Sequence, residues 1–181
     1  MYELFKQVGR ELFLAGLITS HGGNMSVRAG DRIFITRRGS MLANLEDKDI
    51  VETGLEEGDT GDGLASRELV VHRAIYRLTP SLAVVHAHPR YSIVLSLSRD
   101  EILPVDSEGS YLLERVPVVT AQQTIGSAEV ARLVPPALKL SKIVMLRGHG
   151  SFAAGQSLED AYQWTSSLEA SSQILYLAER S

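Results

Sequence analysis

The stretch Ser81-Leu82-Ala83-Val84-Val85-His86-Ala87-His88-Pro89 constrains the chain most. Its apolar, β-branched run reads as a buried strand, stopped by Pro89, which has no N–H for a ladder bond and disfavours helix in the residue before it. Side chains alternate along a strand that rises about 3.3 Å per residue, so His86 and His88 share a face with Cα atoms roughly 6.5 Å apart. That spacing suits chelation. Neutral imidazole is the commonest metal ligand, and a catalytic zinc usually takes three protein ligands and keeps one position open. A hydrogen-bonded histidine at a strand end would read the same way, and a third ligand has to come from elsewhere.

Cysteine is absent, which excludes disulfides and thiolate ligands and leaves His, Asp and Glu to hold a metal. The five histidines are therefore the inventory. A length of 181 residues, 44% of them hydrophobic, fits one domain over 1–181 that buries about 70% of its extended-chain surface. No apolar run reaches the roughly 18 residues of a membrane span and no signal-like segment opens the chain, so the expectation is a cytoplasmic protein with no membrane partner. A net charge of −4 without blocks of like charge gives no electrostatic reason to expect nucleic acid.

From Tyr2 to about Leu17, the spacing of Leu4, Phe5, Val8, Leu12 and Phe13 predicts a helix with one packed face. His21-Gly22-Gly23-Asn24 follows, then Met25 to Arg28 and the strand-like Arg32–Thr36. The glycines allow either an anion-binding concavity or a plain hairpin turn. Thr36-Arg37-Arg38-Gly39-Ser40 suits a phosphate and equally a solvated turn. Residues 45–63 are acidic and glycine-rich. An EF-hand counted from Asp59 would need Glu at its twelfth position, where Val70 stands, so this part reads as a surface loop.

Ser66 reads as the N-cap of a helix to about Leu78, with Leu69, Val71, His72, Ile75, Tyr76 and Leu78 buried. Glu68 then lies in the first turn, either complementing the helix dipole or pairing with His72. The same turn offers free N–H groups to an anion near Ser66 and Arg67. Downstream, 91–97 reads as a short helix, 103–109 as a loop and Val116–Val119 as a strand. Ser127 caps a helix to about Leu133, ended or restarted at Pro135-Pro136. Lys142–Leu146 is a second buried strand, and it delivers Arg147-Gly148-His149-Gly150, a third histidine at a strand end. Ser157 to Asp160 opens the last helix, where Trp164 and Tyr176 are packing residues.

Several of these pieces follow one another in a distinctive order and spacing. They are Gly23-Asn24-Met25-Ser26-Val27-Arg28, Ile35-Thr36 to Gly39, Ser66 with Glu68 and His72, Val84-Val85-His86-Ala87-His88-Pro89, and Gly148-His149-Gly150 with Gly155. In this the chain resembles, over nearly its whole length, the class II aldolase and adducin-head family. The resemblance implies an α/β fold of three αβα layers with a mixed, mostly antiparallel central sheet. It also implies a homotetramer with active sites at subunit interfaces.

For the site, the resemblance implies one Zn²⁺ per subunit on His86, His88 and His149. Glu68 would be the catalytic acid–base and a further zinc ligand when no substrate is bound. Asn24, Arg38, Gly39, Ser66 and Arg67 would bind the phosphate, or a carboxylate. The implied activity is that of a metal-dependent lyase reversibly cleaving a phosphorylated ketose, of the L-fuculose 1-phosphate kind, to dihydroxyacetone phosphate and an aldehyde. Sugar-phosphate epimerisation, methylthioribulose-phosphate dehydration, or a non-catalytic module like the adducin head are the alternatives. An aspartate stands in the epimerase where this chain has Glu68, which favours the aldolase. Three departures stand out: Arg38 and Arg67 replace hydroxyl residues of the type enzyme, and Glu108, with Tyr111 nearby, replaces its catalytic tyrosine. With the last helix finishing near Ser181, no counterpart of the type enzyme's closing tail is expected.

Overall fold

Alternation in the buried strands decides the architecture. In β4 (Ala83–Ala87), Ala83, Val85 and Ala87 enter one apolar cluster and Val84 the opposite one. In β7 (Ile143–Leu146), Ile143 and Met145 point one way, Val144 and Leu146 the other. Strands buried at every position need cover on both faces. The computed structural model describes residues 1–180, so Ser181, last of the expected 1–181 domain, lies outside the described residues.

Helix α1 (Tyr2–Leu14) leads to the hairpin β1 (Asn24–Ala29) and β2 (Arg32–Thr36), then β3 (Ile50–Gly54) and α2 (Leu69–Leu78). After β4 come α3 (Arg90–Ser96), β5 (Glu101–Ile102), α4 (Ser107–Leu113), β6 (Val116–Val119) and α5 (Ala128–Leu138). β7, β8 (Gly150–Gly155) and α6 (Leu158–Ala178) complete the order. The eight strands form one sheet ordered β3-β2-β1-β4-β8-β7-β6-β5, antiparallel except for the β6–β7 pair. Helices α1, α3, α4 and α6 pack on one face, and α2 and α5 on the other. This is the three-layer αβα arrangement with a mixed, mostly antiparallel sheet.

Several local expectations are corrected. The 45–63 segment contains β3, which pairs with β2 from Arg32↔Gly54 to Thr36↔Ile50. Its acids are structural too: Asp62 meets the buried Arg73 guanidinium at 2.6 Å, and Asp59 meets Arg32 at 2.7 Å. The 103–109 loop gives way to α4, because Asp106 accepts the Gly109 N–H and caps a new helix. Helix α5 runs through Pro135 and Pro136, since prolines near its end forfeit little of the hydrogen-bond ladder while Val134 and Leu138 gain the core. Helix α1 stops at Leu14: Gly16 turns left-handed at φ +71°, and Leu17 donates back to the Leu12 carbonyl. On α2, Leu78, expected to be buried, is exposed, and Arg73 is buried instead.

Candidate metal centre and active site

The ends of β1, β4 and the β7–β8 hairpin meet on one rim of the sheet, because antiparallel register sets Asn24 opposite His86 and His86 opposite Phe152. His86 is fully buried there, stacked on Phe152 with ring centroids 4.3 Å apart. Its Nδ1–H donates to the Ser151 carbonyl at 2.9 Å, which leaves the Nε2 lone pair facing the rim. His88 follows, its Nε2 3.1 Å from that of His86. His149, carried by the hairpin, completes a cluster whose ligand atoms all lie within 4.8 Å of one another.

Three nitrogens so placed fit a divalent cation. Two imidazole ligands at Zn–N distances of about 2.0–2.1 Å in tetrahedral geometry stand roughly 3.3 Å apart, close to the separation of the His86 and His88 nitrogens. His149 Nδ1 is buried without a partner among the described residues, as a ligand atom would be. Burial first, then the neighbouring His88 and His149, drives the His86 pKa far down, and burial followed by His149 takes His88 to about 4. Burial also lowers His149, partly opposed by the Thr124 backbone. All three are thus neutral at neutral pH, the form that binds metal.

Close backbone approach makes the cluster possible. A Cβ on Gly150 would stand 2.3 Å from the Ala87 carbonyl oxygen and 2.7 Å from His88 Cδ2. One on Gly23, already at φ +77°, would stand 2.8 Å from the His86 carbonyl oxygen. The turn before β1 and the turn before β8 therefore need glycine.

Glu68 lies at the start of α2, 3% exposed. It occupies the N-cap position itself, and Ser66, expected as the cap, instead accepts the Glu68 N–H on its hydroxyl at 3.3 Å. Of the two roles read for Glu68, the pairing with His72 is not formed: Glu68 Oε1 accepts the Gly126 N–H at 2.9 Å, and His72 turns to Ser26. Burial raises the Glu68 pKa to about 7, against the Gly126 N–H, which lowers it. Among the described residues its Oε2 is buried without a partner, and the cluster that could hold a metal comprises the three imidazoles without Glu68.

Asn24, Arg38, Gly39, Ser66, Arg67, Glu68 and the three imidazoles all line one cavity of about 350 Å³. The residues expected to hold metal, proton and phosphate are thus brought together. Arg37, Ser40, His21 and Ile125 join them, while Glu108 and Tyr111 sit on α4 and do not line the cavity. Arg37, Arg38 and Arg67 are exposed and make no side-chain hydrogen bond or ion pair among the described residues. Sequence reasoning missed Phe152, Gly126 and Ser151. Phe152 carried a signal, since an aromatic two residues past Gly150 in a strand shares its face; Gly126 and the Ser151 carbonyl act through backbone and carry none.

The Class II Aldolase and Adducin N-terminal domain family model matches residues 3–176. The chain is 31% identical over 174 residues to an L-fuculose phosphate aldolase of Methanocaldococcus jannaschii, covering 96% of this chain and 94% of that one. It is 30% identical over 181 residues to a 3-oxo-tetronate 4-phosphate decarboxylase of Haemophilus influenzae, covering 96% and 86%. The crystal structure of L-fuculose-1-phosphate aldolase from Thermus thermophilus superposes with a TM-score of 0.95 at 40% identity, over 98% of this chain and 93% of that one.

Proposed function

Because the chain belongs to the class II aldolase and adducin N-terminal domain family, we propose that it is a zinc-dependent aldolase acting on a phosphorylated ketose of the L-fuculose 1-phosphate kind. The observation that carries this reading is the convergence in one cavity of three neutral imidazoles, a buried carboxyl and three unpaired guanidinium groups. A divalent cation held by His86, His88 and His149, one per subunit, would supply Lewis-acid stabilisation of the negative charge that develops on the substrate oxygens. Glu68 exchanges a proton with the carbon beside the substrate carbonyl. A carboxyl whose pKa sits near 7 suits that task, since both of its forms are populated at working pH. The anionic end of the substrate rests on Arg38, Arg67, the Gly39 backbone, Ser66 and Asn24. With Glu108 and Tyr111 outside the cavity, the donor to the aldehyde oxygen comes from a neighbouring subunit of a homotetramer, in a cytoplasmic enzyme.

Protein stripped with a chelator should lose cleavage of ketose phosphates and regain it with Zn²⁺. Activity indifferent to metal, or products with an unchanged carbon number by NMR, would refute the aldolase and leave epimerisation or dehydration. One observation favours a second reading: three unpaired arginines around one cavity exceed the need of a single phosphate and would also receive a carboxylate. Decarboxylation of a phosphorylated sugar acid, the reaction named for the Haemophilus relative, would show as CO₂ release in the same panel.

A further inference from the structure

Of the five histidines, His72 is fully buried yet takes no part in the imidazole cluster. It faces Ser26 of β1, whose hydroxyl oxygen lies 2.6 Å from His72 Nδ1 and 2.6 Å from the hydroxyl of Tyr76, one turn further along α2. Counting donors assigns the protons. The buried Tyr76 hydroxyl has Ser26 as its hydrogen-bond partner, so the phenol spends its own proton on Ser26. Ser26 then donates to Nδ1, and the single proton of the neutral ring resides on Nε2. The reverse order would strand the buried Tyr76 O–H without an acceptor.

His72 Nε2–H is left buried and, among the described residues, unpartnered. A buried orphan donor is costly and calls for an explanation. Two orphan acceptors lie on the same two elements: Glu68 Oε2, one turn before His72, and Asn24 Oδ1, two residues before Ser26 on the same face of β1. Both of these residues line the cavity. Side chains at i and i+4 on a helix have Cβ atoms about 5–6 Å apart, within reach of one hydrogen bond. The other Glu68 oxygen is already engaged by Gly126.

We propose that His72 is a positioning residue for Glu68: the Tyr76–Ser26–His72 chain fixes the imidazole as its Nε2–H tautomer, and that N–H holds the free carboxylate oxygen when Glu68 turns from Gly126 toward substrate. This rests on the acid–base reading of Glu68. The carboxylate then has two stations, one on a backbone N–H and one on a side chain locked by its own partners. The second aims it into the cavity without the entropy of a free rotor.

Selective ¹⁵N labelling of histidine in the zinc-loaded enzyme reads the tautomer directly. His72 should show the neutral pattern with its proton on Nε2, and Glu68→Gln should move that resonance while leaving Nδ1 in place. His72→Asn keeps an acceptor for Ser26 and has nothing at the Nε2 position, so kcat should fall roughly tenfold with KM and zinc content unchanged. His72→Gln, whose amide reaches the Nε2 position, should recover most of the loss. A proton on Nδ1, or wild-type kcat in His72→Asn, overturns the proposal, and the measurement on unmutated enzyme decides it if the variants do not fold. Full turnover in Glu68→Gln would remove the underlying acid–base assignment instead.

Discussion

Glu68 is the residue at which burial and chemistry meet. Its carboxyl is charged or neutral near pH 7 because the fold withdraws it from water, and a single backbone N–H opposes that penalty. Glu68→Gln preserves shape and the Gly126 contact while removing the exchangeable proton. Turnover should fall by on the order of 10²–10⁴, the usual contribution of one general acid–base group. Zinc content by elemental analysis should stay near that of the parent, since the three imidazoles form a cluster of their own. The unpaired Arg67 sits beside Glu68 and meets the cavity without a protein counter-ion. Arg67→Glu should raise KM for phosphorylated substrates roughly tenfold to a hundredfold, the worth of one charge-assisted hydrogen bond. An unchanged KM would move the anion site away from this turn.

At the level of elements, legibility followed periodicity. Helices α1 and α6 could be read because their apolar positions recur at helical spacing, and the His-x-His strand because its apolar, β-branched run is stopped by Pro89. β3 was hidden because Glu52 faces outward within an acidic stretch and only Ile50, Val51 and Thr53 are buried, too few to outweigh the surrounding glycines and carboxylates. α4 was hidden because Asp106-Ser107-Glu108-Gly109 resembles a turn until the cap on Gly109 is seen. The same acidic stretch shows what composition conceals. Asp62, held by Arg73 first and then by Thr53 and the Gly58 N–H, has its pKa lowered to about 2, which ties the loop to α2. A depressed carboxylate adds stability above its unfolded pKa and loses it as pH falls through the folded value. Asp62→Asn should therefore cost about 2 kcal/mol near neutrality, with the gap to the parent closing between about pH 5 and pH 2. Urea unfolding at several pH values measures this, and a gap independent of pH would show that the ion pair contributes nothing.

For the whole molecule, the imidazole cluster is a place where chain segments far apart in sequence come together. β4 brings His86 and His88, and the β7–β8 hairpin brings His149 from much further along the chain. The scaffold positions the His86 and His88 rings: Phe152 and the Ser151 carbonyl fix His86, and glycines at 22, 23 and 150 let the backbone pack against the pair. A cation that binds this assembled cluster and not the separated histidines of the unfolded chain stabilises the fold by mass action. At a free Zn²⁺ concentration about a hundred times the dissociation constant the gain is about 2.7 kcal/mol, which for a chain of this size raises Tm by roughly 5–10 °C. Burial lowers all three imidazole pKa values, that of His88 to about 4, so the shift should persist into mildly acid solution and vanish once His88 and its neighbours are protonated. His149→Ala should abolish the zinc-dependent part of Tm while changing the metal-free Tm far less, because that ring is only half-buried. Scanning calorimetry with and without Zn²⁺ decides it: a metal-dependent shift that survives His149→Ala would place the binding site elsewhere in the fold.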